Sequence, residues 1–259
     1  MGIRAELSLD WLYRMDELKV YSVNTEKGRE RLEAFTKHLP NLLDSAGISP
    51  PKKARVLCLF AGSCNEGIAY AQAFHADVTC LDLQQRMLAI GRAEATRRKL
   101  RIRTVKGDVK DVAKVVKGPF DLVTIHGSPL PHVDIYDFDQ IVKGVANVLG
   151  KNGTFLIEQS DLIFRVLPQY KDAFVANLDP VVVNIHRSFN PAKGFFERLY
   201  YSGTRKEPFK VYLWSPWIIE YVLKKNDFSK VRVQPYADTT TMAQTYLITA
   251  RTQGQSLSN

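Results

Sequence analysis

Between Ala54 and Gln159 the chain alternates short apolar runs with longer amphipathic ones, a rhythm that few folds accommodate. The apolar runs are ARVLCLF (54–60), DVTCLDL (77–83), RIRTVKG (101–107), FDLVTIH (120–126) and GTFLIEQ (153–159). Between them lie EGIAYAQAFHA, QQRMLAIGRAEATRRK, a short KDVAKVV, and DFDQIVKGVANVL. Several apolar runs are continuous rather than alternating, as strands buried on both faces of a parallel sheet must be. Strands alternating with helices predict a doubly wound α/β fold with right-handed crossovers. LGKNG (149–153) reads as a helix stop and a turn that launches the fifth strand.

The flanks break this rhythm. Ahead of it, LSLDWLYRMDELK (7–19) predicts one helix and TEKGRERLEAFTKHL (25–39) another, with Thr25 as N-cap. Pro40 should break or restart the second helix, and Gly47 should stop it. SPPKK (49–53) is the clearest linker. After Ser160, DLIFRVLPQYKDAFVANL (161–178) predicts a helix broken at Pro168. VVVNIHRSF, GFFERLYYS and FKVYLWS then read as antiparallel strands with turns at NPAKG and SGTRKEP. SPWIIEYVLKKNDF restores a helix, with Ser215 as N-cap and Pro216 in its first position. KVRVQPY and TYLITAR close the sheet, and TQGQSLSN is a tail. The division is therefore an N-terminal helical segment (1–50), acting as a lid or cap, and one α/β domain (51–259) with an insertion at about 160–214.

No apolar run approaches the roughly 20 residues of a membrane helix, and the N-terminus lacks a signal peptide's apolar core. A soluble, cytoplasmic protein is expected. The three cysteines, Cys58, Cys64 and Cys80, form no CxxC pair, so neither a disulfide framework nor a zinc site is expected. The net charge of +9 is concentrated in part at RMLAIGRAEATRRKLRIR (86–103). That stretch is either a solvated helix face or a surface for an anionic partner, nucleic acid included.

In an open parallel sheet, ligands bind beyond the C-terminal strand ends. FAGSCNEG follows the first such end, Asp82 closes the second and Asp108 follows the third. Asp82 stands 20 positions after Gly62, where a carboxylate can accept both hydroxyls of a ribose. A dinucleotide fingerprint would want glycine at roughly 60, 62 and 65; the chain has Phe60, Gly62 and Asn65. Glu66 would also repel a pyrophosphate at the next helix N-terminus. S-adenosylmethionine (SAM) carries no phosphate and asks only for one close backbone approach, which Gly62 can give.

From about Arg55 to Arg251 the chain resembles the class I SAM-dependent methyltransferases, most closely the small-molecule branch of the ubiquinone and menaquinone biosynthesis enzymes. VLCLFAGSCNEG stands where that family writes V-L-D-L-G-C-G-T-G, VTCLDLQQRML resembles its second motif, and VKGDVKDV its third. FDLVTIHGSPLPH, VLGKNGTFLIEQSD, LWSPWIIEYVLKKNDFSKVRV and QTYLITAR follow in the family's order. The resemblance implies a seven-stranded Rossmann-like sheet with an antiparallel last strand and SAM as cofactor. It implies cofactor contacts at Phe60, Ala61, Gly62, Ser63, Asp82, Leu83, Gly107, Asp108, Val109 and His126. Asp82 would hold the ribose, Leu83 would lie beside the adenine and Asp108 would accept its amino group. Cys58 replaces the usual first-motif acid, and Phe60 and Cys64 replace the outer glycines.

Methyl transfer from a sulfonium runs largely on positioning and needs a base only for a protonated acceptor. His132 and His126, flanking GSPLP, are the catalytic candidates; His38 and His75 read as structural. In the insertion, His186, Phe195 and Arg198 are the acceptor candidates, rings supplying an apolar wall and cations an anion site. A small, possibly anionic acceptor is the first expectation. A nucleic-acid methyltransferase and a non-catalytic SAM-binding scaffold are the alternatives. The oligomeric state is open.

Overall fold

The computed structural model describes residues 21–50, 53–164, 170–178, 181–236 and 245–252. The expected helix at 7–19 and the C-terminal tail lie outside them. Helix α1 spans Glu26–Ser45, capped by Thr25, whose hydroxyl accepts from the Gly28 N–H. It continues through Pro40, against expectation. Proline removes one intrahelical hydrogen bond, but Leu32, Leu39, Leu42 and Leu43 bury the face on either side of it. The helix ends as expected, with Gly47 left-handed at φ +66°.

The α/β unit follows as β1 (Arg55–Leu59), α2 (Asn65–Phe74), β2 (Asp77–Asp82), α3 (Gln85–Arg97), β3 (Ile102–Lys106), α4 (Val112–Val115), β4 (Phe120–Ile125), α5 (Ile135–Val148) and β5 (Leu149–Ser160). After an excursion come α6 (Pro216–Lys225), β10 (Phe228–Tyr236) and β11 (Thr245–Thr252). Seven strands form one sheet in the order β10-β11-β5-β4-β1-β2-β3. β1 to β5 pair in parallel, and β11 is antiparallel to both β5 and β10. The sequence LGKNG sits within β5, where the β4 register jumps from Phe120↔Leu149 to Leu122↔Thr154, so the expected turn is an irregularity of the strand start.

Strand alternation explains the two-sided core. Leu57 and Leu59 of β1 face a layer with Phe138, Phe155 and Trp214. Val56 and Cys58 face the other, with Leu32, Ile68 and Tyr70. The chain builds outward from β1 to β3, then returns to lay β4 and β5 on β1's other side. That reversal puts the switch point at the C-terminal ends of β1 and β4.

The excursion folds as a separate antiparallel sheet, β6 (Ala173–Leu178), β7 (Val181–Asn190), β8 (Phe195–Ser202) and β9 (Arg205–Tyr212), in that order. Residues 173–178 are therefore strand, not the second half of a helix. Pairing with β7 overrides a sequence that reads equally well as a helix. The β8–β9 turn is also tighter than expected, since β9 begins at Arg205. Trp214 anchors this sheet to the main domain: its Nε1 donates to the Val133 carbonyl at 3.1 Å, and its ring meets Phe138 edge to face. Ser215 holds the N-cap position of α6, but its hydroxyl donates to Asp161 instead of capping.

Candidate active site

The loop after β1 is built from left-handed residues at alternate positions: Phe60 at φ +54°, Gly62 at +48° and Cys64 at +60°. For Phe60 and Cys64 this conformation costs about 1 kcal/mol or more each. Surrounding contacts hold it. Ala61 N–H donates to the Leu81 carbonyl, Cys64 N–H to Ala61, and Gly62 N–H to Asp82 Oδ2 at 2.8 Å. Cys64 is fully buried. Helix α3 crosses so close that a Cβ on Gly91 would lie 2.4 Å from the Ser63 carbonyl. Ser63 Oγ accepts from the Val23 N–H and bonds the Tyr21 carbonyl, tying the N-terminal segment to the loop.

Asp82 ends β2 with one oxygen on Gly62 N–H and the other on Gln84 N–H, both at 2.8 Å. Burial pushes its pKa up, and these amides with that of Leu83 offset only part of the rise. Asp108, after β3, accepts from Lys110 N–H at 3.0 Å. Asp82, Leu83, Asp108 and Val109 line one lobe of a cleft. Gly107 stands behind that lobe, its N–H on the Asp82 carbonyl. A second lobe of about 440 Å³ is lined by Ala61, Gly62 and Ser63 on one side and His126 to Ser128 on another. Phe60, Pro129 and His132 belong to both lobes.

His126 lies beneath the second lobe with both ring nitrogens engaged. Nδ1 is 2.9 Å from Glu158 Oε2, and Nε2 is 3.1 Å from the Tyr70 hydroxyl. Burial pushes the Glu158 carboxyl up, but His126, Arg31 and the Gly127 amide together hold it below its ordinary range. Burial drives the Tyr70 phenol well up. An ionised Glu158 favours a proton on the Nδ1 that faces it. Both ring nitrogens of His126, the candidate base, thus face protein partners. His132 stands at the junction of the lobes, edge to face with Phe209 at 5.4 Å. Burial lowers its pKa to about 4, so it is neutral near pH 7.

The acceptor residues expected in the insertion do not reach the cleft wall. Phe195 is buried against Tyr212 on the opposite face of β8 from Tyr200. Arg198 is committed to Asn184 Oδ1 and the Lys171 carbonyl, between the rings of Tyr170 and Phe174. His186 pairs across from it, against Tyr170 and Phe196. The sheet instead gives the second lobe Tyr200, Phe209 and Val211, while Tyr21 and Arg31 enter from the N-terminal side. Strand alternation put Tyr200 within reach of sequence reading, but choosing the inward face needed the second sheet's docking. Glu158 is one position past the Ile125↔Ile157 pair, so strand register alone would have placed it beside His126.

This strand order, with an antiparallel β11 inserted next to β5 and an acid closing β2, defines the class I SAM-dependent methyltransferase fold. Residues 56–153 match the family model described as a methyltransferase domain. The chain is 35% identical over 107 residues to "Uncharacterized methyltransferase YbaJ" of Bacillus subtilis (strain 168), a stretch covering 41% of this chain and 40% of that protein. Among solved structures, it is similar to a S-adenosylmethionine-dependent methyltransferase from Clostridium acetobutylicum ATCC 824 (TM-score 0.69, 14% identity, covering 96% of this chain and 99% of the other). It is also similar to the sugar N-methyltransferase KedS8 from Streptoalloteichus sp ATCC 53650 (TM-score 0.58, 15% identity, covering 95% and 92%).

Proposed function

We propose that the chain is a SAM-dependent methyltransferase acting on a small-molecule acceptor. The observation that carries the reading is the two-lobed cleft at the switch point, with the Asp82 carboxylate pinned by Gly62 and Gln84 amides at its rim. The residues fit SAM and not a dinucleotide. Asp82 and Asp108 offer acceptors for ribose hydroxyls and an adenine amino group, while Leu83 and Val109 supply apolar walls. Nothing lies within 4 Å of where a Gly62 Cβ would stand, so a ligand can approach that backbone. Glu66, at the start of α2, opposes a pyrophosphate there. When bound, SAM supplies an electrophilic methyl group on sulfur.

The chain's own residues then do the positioning. Tyr200, Phe209 and Val211 exclude water from the second lobe, making the four-stranded sheet a lid over the acceptor. Neutral His132, at the junction, is suited to accept a hydrogen bond from an acceptor nucleophile, its lowered pKa making it a positioning group more than a strong base. The described part of the N-terminal segment, from residue 21 on, contributes Tyr21 and Arg31 to the same lobe, in keeping with a cap. The finer placement in the quinone-biosynthesis branch rests on motif order alone; a reported structural neighbour is named for action on sugars. A cytoplasmic location belongs to the same reading. Calorimetric titration with SAM tests it: binding near one equivalent supports it, and absence of binding rejects it.

A further inference from the structure

We propose that a groove at the opposite end of the sheet from the cleft is a second binding site, taking a small molecule that carries a diphosphate group. The groove has a volume of about 540 Å³, within the range of small-molecule sites. It lies where β10 and β11 meet the start of β5, against the end of α1 at Ala46 to Ile48. Strand register fixes which side chains face it. Thr154 pairs with Arg251, and Thr249 pairs with both Leu156 and Arg232. Leu156 packs on the α1 side of the sheet with Leu42 and Leu43. Paired and alternate residues share a face, so Thr154, Thr249, Arg232 and Arg251 stand on that side.

The first observation is the charge. Lys230, Arg232 and Arg251 line the groove, and no carboxylate does. Arg31 and Arg98 elsewhere hold carboxylates; among the described residues these three cations have no ion-pair partner. Arg232 Nη1 is 3.7 Å from where a Gly47 Cβ would stand, which places its guanidinium against the end of α1. That helix end contributes only about half a negative elementary charge, and the Ala46, Gly47 and Ile48 N–H groups already bond the carbonyls of Leu42, Asp44 and Leu43. Three full cations therefore set the potential, and their mutual repulsion is relieved by an anion.

The second observation is how β10 is bent to build this wall. Its register with β11 runs from Ser229↔Arg251 to Arg232↔Thr249, leaving Lys230 and Val231 opposite Ala250 alone. In this bulge Lys230 is left-handed at φ +51°. Bulges re-aim side chains, and a lysine in a conformation that glycine adopts freely is strained. The strained position is one that sets a third cation beside two arginines.

The third observation is the match to a ligand. Guanidinium forks fit phosphate oxygens two at a time. Three cations exceed what one carboxylate neutralises and suit a diphosphate. The Thr154 and Thr249 hydroxyls are further donors, while Ala46, Ile48 and Ala250 offer an apolar wall to the rest of the molecule.

Calorimetric titration with inorganic pyrophosphate at low ionic strength tests the site. The wild type should bind it, and Arg232→Gln and Arg251→Gln should each weaken binding about tenfold or more. Arg232→Lys should keep most of the affinity. Both arginines are exposed, so these variants should fold and should bind S-adenosylhomocysteine within about twofold of the wild type. ADP, titrated with the cleft filled by S-adenosylhomocysteine, should depend on the same arginines. Either result of that comparison supports the site: tighter binding than pyrophosphate assigns it to a nucleotide, equal binding to the diphosphate alone. A wild type that binds neither, or Gln variants that bind pyrophosphate as the wild type does, would overturn it. A single-stranded RNA oligomer bound more than about tenfold tighter than pyrophosphate through the same arginines would also overturn it, in favour of a nucleic-acid surface.

Discussion

At Gly62 the backbone is left-handed, and the direction of its missing Cβ opens into the cleft. Gly62→Val should therefore leave the sheet folded yet abolish SAM binding, read by calorimetry beside a thermal melt; retained affinity would take the loop out of the site. Cys64→Gly relieves a left-handed residue but removes a fully buried sulfur, so stability should change by no more than about 1 kcal/mol. His132 gives a pH signature. Its folded pKa of about 4 lies below the ordinary value of 6.5, so the unfolded chain binds more protons between those values. Stability from this group is complete above about pH 6.5 and is lost as pH falls toward 4. In denaturant titrations across that window, His132→Asn should flatten the slope; an unaltered slope would mean the imidazole is not desolvated.

Among the elements, those with a strong local period were legible: β1 to β5, the helices between them, and the Thr25 and Gly47 boundaries all stand where the residues indicated. Misreadings came where tertiary contacts outweigh local preference. Pro40 is carried inside α1 by buried leucines on both sides, and 173–178 becomes strand because β7 pairs with it. The lining of the cleft was legible where one loop or strand end supplies it, at Gly62, Asp82 and Asp108. It was not legible where partners converge from afar: Arg31 and Glu66 are 35 residues apart, and nothing in sequence links them. The second sheet hangs on Trp214, 2% exposed. Trp214→Ala should cost about 3–5 kcal/mol in denaturant unfolding, on the scale of large-to-small core changes. A loss below about 1 kcal/mol would mean that the sheet docks through other contacts.

For the whole molecule, a charge of +9 first suggests a polyanionic partner. The fold answers part of that at the densest basic stretch. Arg97 and Arg98 both bond Glu94, and Arg98 also reaches Glu33 of α1, so Arg98 ties the two helices together. The Arg97 and Arg98 bonds lower the Glu94 pKa to about 2 against the opposing effect of burial. Its contribution to stability is complete above the ordinary 4.5 and is lost as pH falls toward 2. Among the described residues no helix is long and apolar enough to cross a membrane. The small-molecule reading predicts only weak, salt-sensitive RNA association in a mobility-shift titration; tight, sequence-selective binding at physiological salt would favour the nucleic-acid alternative.

In the proposed function the cleft holds a nucleoside cofactor through Asp82. The most direct test is titration of the wild type and a folded Asp82→Ala variant with SAM by calorimetry. The wild type should bind, and removal of the carboxylate should cost about 2–3 kcal/mol, about thirtyfold or more in Kd. A wild type that takes up no SAM, or an Asp82→Ala variant with an unchanged Kd, would contradict that function.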